Sequence, residues 1–232
     1  MERLRRLGGK VSQVSKKQKV RQQLLKKARA SGEQFRNAPY YDVAEPDMDQ
    51  QWENLIWPLL KNKGLDFRCV LDLAAGHGRN SAKLLQHAGQ IIIVDINQEN
   101  IDACKTRFKD DNRFVYIKND GLSLAGVADK SVTLIYSFDS MVHFDSDVVR
   151  EYLKEFYRVL KPDGHGFCHH SNYTGNPGGD FTKNPHWRNF MSKELFAHYC
   201  IKEGLLIVEQ KVIDWNYPKL DCISIFQKPK GN

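Results

Sequence analysis

Apolar residues from about residue 67 onward form short runs separated by segments with helical spacing. The runs "RCVLDLA", "QIIIVDIN" and "SVTLIYSF" are rich in β-branched residues and show little polar alternation, as is typical of parallel strands covered on both faces. Helical segments such as "QENIDACKTRF" lie between them. Because strands and helices alternate, we predict an α/β fold with a doubly wound, mostly parallel sheet and helices on both faces.

The C-terminal part of the chain breaks this alternation. The runs "RFVYIKND" and "HGFCHHSN" predict two further parallel strands, and "SKELFAHYCIKEG" predicts a helix. The next two apolar runs, "LLIVEQKVIDW" and "LDCISIFQKP", are joined by a short link without a helix. Two strands connected in this way pair antiparallel. We therefore predict seven strands, with an antiparallel pair at the end of the sheet.

The net charge of +7 is unevenly distributed. Residues 1–30 carry eleven basic side chains and one acidic side chain, so the remaining residues carry a net charge of −3. We predict a basic, helical extension over residues 1–32 and a single domain over residues 33–232. The extension is either a solvated segment or an arm that binds an anionic membrane surface or nucleic acid. It lacks the aromatic residues on which single-stranded nucleic acid stacks.

The composition is that of an ordinary globular enzyme, with 41% apolar and 27% charged residues among 232. No apolar run is long enough to span a bilayer, and the charged N-terminus does not resemble a secretory signal. The five cysteines are scattered and form no CxxC pair, which argues against a disulfide framework or a zinc site. We expect a cytoplasmic protein, with association at the inner membrane face as an option.

The stretch "VLDLAAGHGRNSAKLL" predicts a buried strand, a glycine turn and a helix. Gly76 and Gly78 allow the backbone to pass close to a ligand, and Asn80 opens the helix. A dinucleotide-binding turn has a third glycine where Ser81 stands here. The Gly-Lys-Ser/Thr of a triphosphate-binding loop is also missing. The turn therefore favours a nucleotide-like ligand other than NAD or ATP.

Two carboxylates follow at the ends of the next strands. Asp95 closes "IIIVD", 17 residues after Gly78, where a carboxylate can accept both hydroxyls of a ribose. Asp120, in "NDG" after the third strand, can accept from an adenine amino group. Ligands bind at the carboxyl ends of strands in open α/β sheets, so these residues are expected to share one site.

These segments resemble the motifs of the class I S-adenosylmethionine-dependent methyltransferases. The resemblance covers roughly residues 67–228 and implies S-adenosylmethionine as the cofactor. It rests on five segments: "VLDLAAGHG", "IIIVDIN", "KNDG", "LIYSFDSMVHF" and "EFYRVLKPDGHGFC".

Carried over to this chain, the resemblance implies a set of cofactor-binding residues. Asp72 is expected to face the amino end of the methionine moiety and Asp95 the ribose. Tyr41 and Trp52 are expected to cover the site. The full predicted set is Asp72, Ala74, Gly76, Gly78, Asn80, Asp95, Ile96, Asp120, Gly121, Ser137 and Phe138, together with Tyr41 and Trp52.

The segment "SFDSMVHF" supplies the predicted catalytic residues. A hydroxyl acceptor needs a base, and His143 is the candidate because imidazole titrates near neutral pH. The alternative is that His143 holds the loop or touches the methionine moiety. Asp139 is predicted to orient His143 or the acceptor. No metal is predicted, because a metal on these two residues would need further carboxylates.

The segment after the fifth strand is rich in His, Asn, aromatic residues and glycine turns. Such loops carry specificity in this type of fold, and this one loosely resembles a segment of bacterial methyltransferases associated with surface-polysaccharide assembly. We therefore predict a sugar or glycan hydroxyl as acceptor. The alternatives are a small-molecule or lipid O- or N-methyltransferase, a tRNA-modifying enzyme steered by the basic tail, or a cofactor-binding module without activity. The predicted substrate-binding residues are His169, His170, Asn172, Tyr173, His186, Trp187 and Arg188.

Overall fold

One seven-stranded sheet forms the centre of the molecule. The computed structural model of the chain describes residues 2–36 and 39–230, with side chains from residue 15 onward. The strands lie in the order β3-β2-β1-β4-β5-β7-β6. Their bounds are β1 (Cys69–Leu73), β2 (Gln90–Asp95), β3 (Phe114–Lys118), β4 (Val132–Ser137), β5 (Leu160–Ser171), β6 (Leu206–Ile213) and β7 (Asp221–Gln227).

The strand directions confirm the predicted mixed sheet. β1 to β5 pair parallel with their neighbours. β7 pairs antiparallel with both β5 and β6, so within this sheet β7 is the strand that runs against the other six. It lies between β5 and β6. Its pairing with β6 is antiparallel because a short link joins the two strands, and such a link cannot return the chain to a parallel position.

The helices surround this sheet and include one long N-terminal helix. Three short 3₁₀ turns, at Met141–His143, Phe181–Lys183 and Pro185–Trp187, lie in the loops near the site. The helices are α1 (Glu2–Gln34), α2 (Tyr40–Ala44), α3 (Met48–Gln51), a π-helical turn (Trp52–Ile56), α4 (Trp57–Leu60), α5 (Arg79–Leu84), α6 (Gln98–Arg107), α7 (Ser146–Val159) and α8 (Lys193–Lys202).

Both faces of the sheet are covered, as the continuous apolar runs predict. In β1, Leu71 and Leu73 belong to the core cluster formed with α7 and α8. Val70 belongs to the cluster formed with the π-helical turn, α5 and α6. Successive side chains of a strand point to opposite faces, so one buried strand supplies both cores.

α1 packs on the body through its C-terminal half. Residues 15–23 are exposed, whereas Ala28 and Ser31 are buried. The Ser31 hydroxyl donates to the backbone carbonyl of His143 over 3.1 Å. The helix continues two residues past the predicted extension and ends beside the loops at the carboxyl ends of the strands. In the part of the chain with described structure, no helix is both long and apolar enough to cross a membrane.

Candidate functional site

An enclosed cavity lies at the carboxyl ends of β1, β2 and β3, where the sequence predicts a ligand. The loops after these strands form its floor, and the end of α1 and α2 form its roof. Its wall includes seven residues of the predicted site, Tyr41, Ala74, Asp95, Ile96, Gly121, Asp139 and His143.

Three residues of the turn after β1 have a left-handed backbone conformation. Ala74, Gly76 and Gly78 all have positive φ, at 56°, 56° and 80°. A Cβ on Gly76 would lie 2.5 Å from the Tyr41 ring. Glycine is therefore required here both by conformation and by the close approach of Tyr41.

Asp95 ties this turn to β2. Its carboxylate accepts from the backbone N–H of Gly76 over 3.0 Å and from that of Asn97 over 2.8 Å. Burial raises the pKa of Asp95 to about 6, although these hydrogen bonds act in the opposite direction. Asp95 lines the cavity. A ribose hydroxyl could bond to its carboxylate only by replacing hydrogen bonds that order the loop.

Asn100 is a polar residue of the site that the sequence motifs did not indicate. Its Nδ2 donates to the Tyr41 hydroxyl over 2.9 Å and to Asp95 over 3.1 Å. Its Oδ1 is buried and has no hydrogen-bond partner among the described residues. A buried acceptor without a partner is costly, so a ligand hydroxyl at this point of the cavity wall would satisfy it.

The far end of the cavity is narrow. It is formed by Ile96, Asn119 and Gly121 from below and by Ala28 of α1 from above. A Cβ on Gly121 would lie 2.7 Å from Ile96 and 2.9 Å from Ala28. Ile96 and Ala28 therefore pack directly against Gly121, and α1 closes this end of the cavity.

Asp120 does not line this cavity, contrary to its predicted role. Its Oδ1 accepts from the backbone N–H groups of Leu122 and Ser123, and its Oδ2 pairs with Arg21 over 3.0 Å. The carboxylate thus orders its own turn and contacts α1. The neighbours of Asp120, Asn119 and Gly121, take the place at the cavity wall.

Trp52 also lies away from the cavity and does not cover it. It is 5% exposed, and its ring stacks with Trp57 and His87 in the core beneath β1. The helical spacing that includes Trp52 reflects packing on the sheet. Tyr41 covers the site as predicted, with its ring stacked on His77 at 4.1 Å.

Four further predicted residues lie behind the cavity or beside it. Asp72 is buried, accepts from the Ser81 hydroxyl over 2.6 Å, and has its pKa raised to about 7 by burial. The Ser137 hydroxyl donates to the carbonyl of Leu73. Both therefore support the turn rather than line the cavity. Asn80 and Phe138 line a small recess next to Gly76.

A large open cleft of ≈ 1120 Å³ adjoins the enclosed cavity. Its wall is built from the segment after α1, α2, the loop at residues 184–188 and the link between β6 and β7. Four residues line both the cleft and the cavity and so mark the opening between them: Phe35, Tyr40, Asp139 and His143.

Asp139 is held in a buried polar cluster. Its carboxylate accepts from the Tyr40 hydroxyl and pairs with Arg79 over 2.7 Å. Arg79 also donates to the carbonyl of Ala44 over 2.9 Å. No hydrogen bond joins Asp139 to His143 among the described residues, so Asp139 does not orient His143 and holds Tyr40 instead.

No metal site accompanies this cluster in the described part of the chain, where no three His, Cys, Asp or Glu residues are grouped to hold an ion. Burial, followed by the charge of Asp139, raises the pKa of Tyr40 well above its ordinary value. It remains a neutral hydroxyl at the opening.

His143 faces the opening from the other side. Its Nδ1 lies 2.9 Å from the carbonyl oxygen of Trp187, which can only accept, so Nδ1 carries the proton and Nε2 is unprotonated. Its ring packs 4.5 Å from Phe35. Burial, followed by the charge of Arg188, lowers the pKa of His143 to about 4, so the imidazole is neutral at pH 7.

The predicted substrate-binding residues fall into two groups. His186, Trp187 and Arg188 line the cleft as expected for an acceptor wall. His169 lies beneath this wall, fully buried. His170 points to the opposite face of the sheet, because it follows His169 in the same strand, and stacks on Phe196 at 4.0 Å.

Asn172 and Tyr173 hold loops together and do not line the cleft. Asn172 donates to the carbonyl of Lys219 and accepts from the N–H of Lys193. Tyr173 forms an isolated bridge with Phe190. For His170, Asn172 and Tyr173, the predicted contact with substrate is therefore wrong.

Several residues of the site carry no motif that the sequence could reveal. Phe35, Tyr40 and Arg79 reach the opening from three separate segments, and Trp215 lines the cleft from the link between β6 and β7. The cluster of aromatic residues in "FRNAPYY" is the one available signal for the first two.

Comparisons with known proteins agree with this geometry. A family model described as a methyltransferase domain matches residues 70–164. The demethylmenaquinone methyltransferase of Lactobacillus johnsonii is 31% identical over 139 residues, which cover 56% of this chain and 55% of that protein. The chain spans about half the length of the curated relatives that it matches, between 38% and 55%.

Solved structures share the fold at low sequence identity. An S-adenosylmethionine-dependent methyltransferase from Clostridium acetobutylicum aligns with a TM-score of 0.65 at 18% identity, over 84% of this chain and 100% of that one. A second, from Methanosarcina mazei, aligns with a TM-score of 0.60 at 17% identity, over 75% and 98%. The fold is that of these methyltransferases.

Proposed function

We propose that this protein transfers a methyl group from S-adenosylmethionine to a hydroxyl of a sugar or glycan. The observation that carries the proposal is the opening between the enclosed cavity and the large cleft, which is lined by residues common to both. A donor in the cavity and an acceptor in the cleft would meet at this point.

The residues of the cavity fit the cofactor. The partnerless Oδ1 of Asn100 offers an acceptor for a ribose hydroxyl, next to Asp95. Gly76 and Gly121 allow Tyr41 and Ala28 to pack closely around the cavity. When bound, the cofactor supplies an electrophilic methyl group and a neutral leaving group.

His143 is proposed as the group that takes up the proton of the acceptor hydroxyl. Its Nε2 is unprotonated, and its lowered pKa makes it a weak base. A weak base suffices because a hydroxyl oxygen becomes strongly acidic as its bond to the methyl group forms. Tyr40 and Asp139, opposite His143, would orient the acceptor.

The cleft supports a polyhydroxyl acceptor. Trp187 and Trp215 offer aromatic faces, while Arg36, Asp47 and Asp214 offer hydrogen-bonding groups along the same wall. Sugars combine apolar ring faces with hydroxyl edges, so a wall of this mixed character suits them. The width of the cleft leaves room for several sugar units.

Two measurements test the proposal in sequence. Calorimetry should show binding of S-adenosylmethionine and of its demethylated product. A screen with radiolabelled methyl donor should then show transfer to nucleotide sugars or extracted glycans. The same screen includes tRNA and a demethylated menaquinone, since one relative is named a demethylmenaquinone methyltransferase. Transfer to either of these and not to glycans would overturn the acceptor class.

Substitution of His143 tests the proposed base. His143→Ala should lower kcat on the acceptor identified by the screen by about 10²–10⁴-fold, while the Kd for S-adenosylmethionine stays close to that of the wild type. His198→Ala, at an exposed position on α8, is the matched control. Equal turnover in the two variants would show that His143 is not the base.

We further propose that α1 holds the protein at an anionic membrane surface. Its described part exposes Lys16, Lys17, Lys19, Lys26 and Arg29, and basic side chains near such a surface each add to binding. The C-terminal end of the same helix lines the cleft through Gln34. Attachment by α1 would therefore bring the cleft close to a lipid-linked acceptor.

Vesicle sedimentation tests this attachment. The wild type should bind vesicles containing phosphatidylglycerol and not vesicles of phosphatidylcholine alone. Lys16→Glu, Lys17→Glu and Lys19→Glu together should abolish binding. The same change at Lys105, Lys202 and Lys211, all exposed on the body, should not. Equal losses in both variants would point to net charge rather than to α1.

A further inference from the structure

A buried carboxylate lies behind the cleft and contacts neither cavity directly. Asp221 begins β7 and is fully buried. Arg188 donates to both of its oxygens, over 2.9 Å and 2.6 Å. His169 lies 3.0 Å from the same carboxylate through Nε2. One carboxylate thus binds two side chains. His169 is connected to Asp139 at the opening, and Arg188 is connected to His143.

The first connection leads from His169 to Asp139. The backbone N–H of Asp139 donates to Nδ1 of His169 over 3.2 Å, so His169 donates through Nε2 to Asp221. Asp139 has a positive φ of 59°, a conformation that residues other than glycine adopt only when their surroundings hold them. The bond from His169 is one of the contacts that hold it.

The second connection leads from Arg188 to His143. Arg188 follows Trp187, whose carbonyl accepts from Nδ1 of His143 over 2.9 Å. The fork between Arg188 and Asp221 fixes this part of the loop to β7. Trp187 has a positive φ of 55°, so its carbonyl direction also depends on the surroundings.

Both connections also meet at the wall of the cleft. The ring of Trp215 lies 5.1 Å from the ring of His169, and the guanidinium of Arg188 lies 5.5 Å from the Trp215 ring centre. A change at Asp221 would therefore reach both sides of the opening and the aromatic wall between them.

We propose that Asp221 is a positioning residue that sets the relative placement of His143 and Asp139 through Arg188 and His169. The proposal rests on the proposed function, because these two residues face the acceptor only if the cleft holds one. A carboxylate is suited to this role, since it can accept from a guanidinium fork and from an imidazole at once. The hydrogen bonds from His169 and Arg188 outweigh burial and lower the pKa of Asp221 to about 2.

The titration of His143 gives a readout that needs neither donor nor acceptor. In the wild type, NMR of the histidine ring protons should show one buried histidine at the opening that stays neutral down to about pH 4. Three charged groups act on the pKa of His143: Arg188 lowers it, whereas Asp139 and Asp221 raise it. His143→Ala assigns its resonance.

Asp221→Asn separates positioning from a purely electrostatic or structural role. If Asp221 positions the loop, the loop loosens and the pKa of His143 rises toward its ordinary value of about 6.5. If the loop stays in place, loss of the negative charge leaves that pKa where it is or lowers it. The second result would overturn the proposal.

Two milder variants test the connections one at a time and guard against loss of folding in Asp221→Asn. Arg188→Lys removes the paired hydrogen bonds to Asp221 but keeps the positive charge. If these bonds position the loop, the pKa of His143 should rise, as in Asp221→Asn. His169→Gln acts on the side of Asp139 and should leave that titration unchanged. Both should lower kcat on the identified acceptor by about 10- to 100-fold, with little change in the Kd for S-adenosylmethionine. KM should stay close to that of the wild type in His169→Gln, because His169 is buried and does not line the cleft.

His170→Phe is the matched control, because His170 is as buried as His169 but faces the other side of the sheet. It should leave both the titration of His143 and kcat unchanged. Equal loss of kcat in His170→Phe and His169→Gln would show that the hydrogen bonds of Asp221 only stabilise the fold. That result would overturn the proposal. Failure of the wild type to bind S-adenosylmethionine, with the histidine titrations as expected, would instead contradict the proposed function.

Discussion

The enclosed cavity and the open cleft are built in different ways. Residues of the cavity floor come from the loops directly after β1, β2 and β3, within one stretch of the chain. Residues of the cleft come from the end of α1, from residues 184–188 and from the link between β6 and β7. The first region depends on local backbone conformation, and the second depends on segments brought together by folding.

The two regions also differ in how they hold buried charge. Asp72 and Asp95, at the cavity, have no cationic partner at hydrogen-bond distance among the described residues, and burial raises the pKa of each. At the cleft, Asp139 pairs with Arg79, and Asp221 pairs with Arg188. The cavity therefore relies on hydrogen-bonded carboxylates and the cleft on ion pairs, and the predictions below test this difference.

The largest effect is expected from breaking an ion pair of the cleft. Arg79→Met would leave the Asp139 carboxylate buried without its partner, since both side chains are less than 10% exposed. We expect the free energy of unfolding to fall by about 3–5 kcal/mol. Urea denaturation measures it. Arg68→Met, which removes a solvent-exposed pair with Asp66, should be indistinguishable from the wild type, and similar losses in both variants would contradict the prediction.

The pH dependence of stability should have opposite signs for Asp95 at the cavity and for His170 on the face of the sheet that points away from the cleft. Burial lowers the pKa of His170 to about 4. The unfolded chain then takes up a proton between pH 6.5 and 4 that the folded chain does not, so this residue lowers stability as the pH falls. Burial raises the pKa of Asp95 to about 6, and its contribution to stability is present below about pH 4 and lost as the pH rises through 6.

Two variants separate these contributions in urea denaturation from pH 4 to pH 7.5. Relative to the wild type, His170→Phe should gain stability as the pH falls, and Asp95→Asn should gain stability as the pH rises. Each difference is expected to approach about 3 kcal/mol over its range. Parallel curves for the two variants would show that burial does not set these pKa values.

The smallest effect concerns the shape of the cavity. Gly121→Ala places a methyl group 2.7 Å from Ile96 and 2.9 Å from Ala28 at a backbone position with positive φ, so the cavity wall must shift around it. We expect the Kd for S-adenosylmethionine to rise about tenfold, which corresponds to about 1.4 kcal/mol. Gly178→Ala also introduces a side chain at positive φ, but nothing lies within 4 Å of its Cβ. Its Kd should match that of the wild type, and a rise there would point to backbone strain alone.

Much of the cavity could be predicted from the sequence because its residues follow strands that the apolar pattern identifies. Asp95 and Gly76 lie at the strand ends where they were expected and contact each other. The prediction failed for Asp120 because the sequence places a residue only to within one position along a turn. It failed for Trp52 because the same helical spacing serves for core packing and for covering a site.

The sequence by itself determined the alternation of strands and helices, the antiparallel pairing of the last two strands and the glycine turn, since each depends on contacts within a few residues or on the length of a link. Only the tertiary structure decided that α1 covers the cavity, that Asp139 bonds to Tyr40 and Arg79, and that Asp221 lies behind both sides of the opening. The hydrogen bonds of Asp139 to Tyr40 and Arg79, and of Asp221 to His169 and Arg188, join residues 33 to 99 positions apart. No local periodicity encodes which distant side chains will meet when two buried surfaces pack.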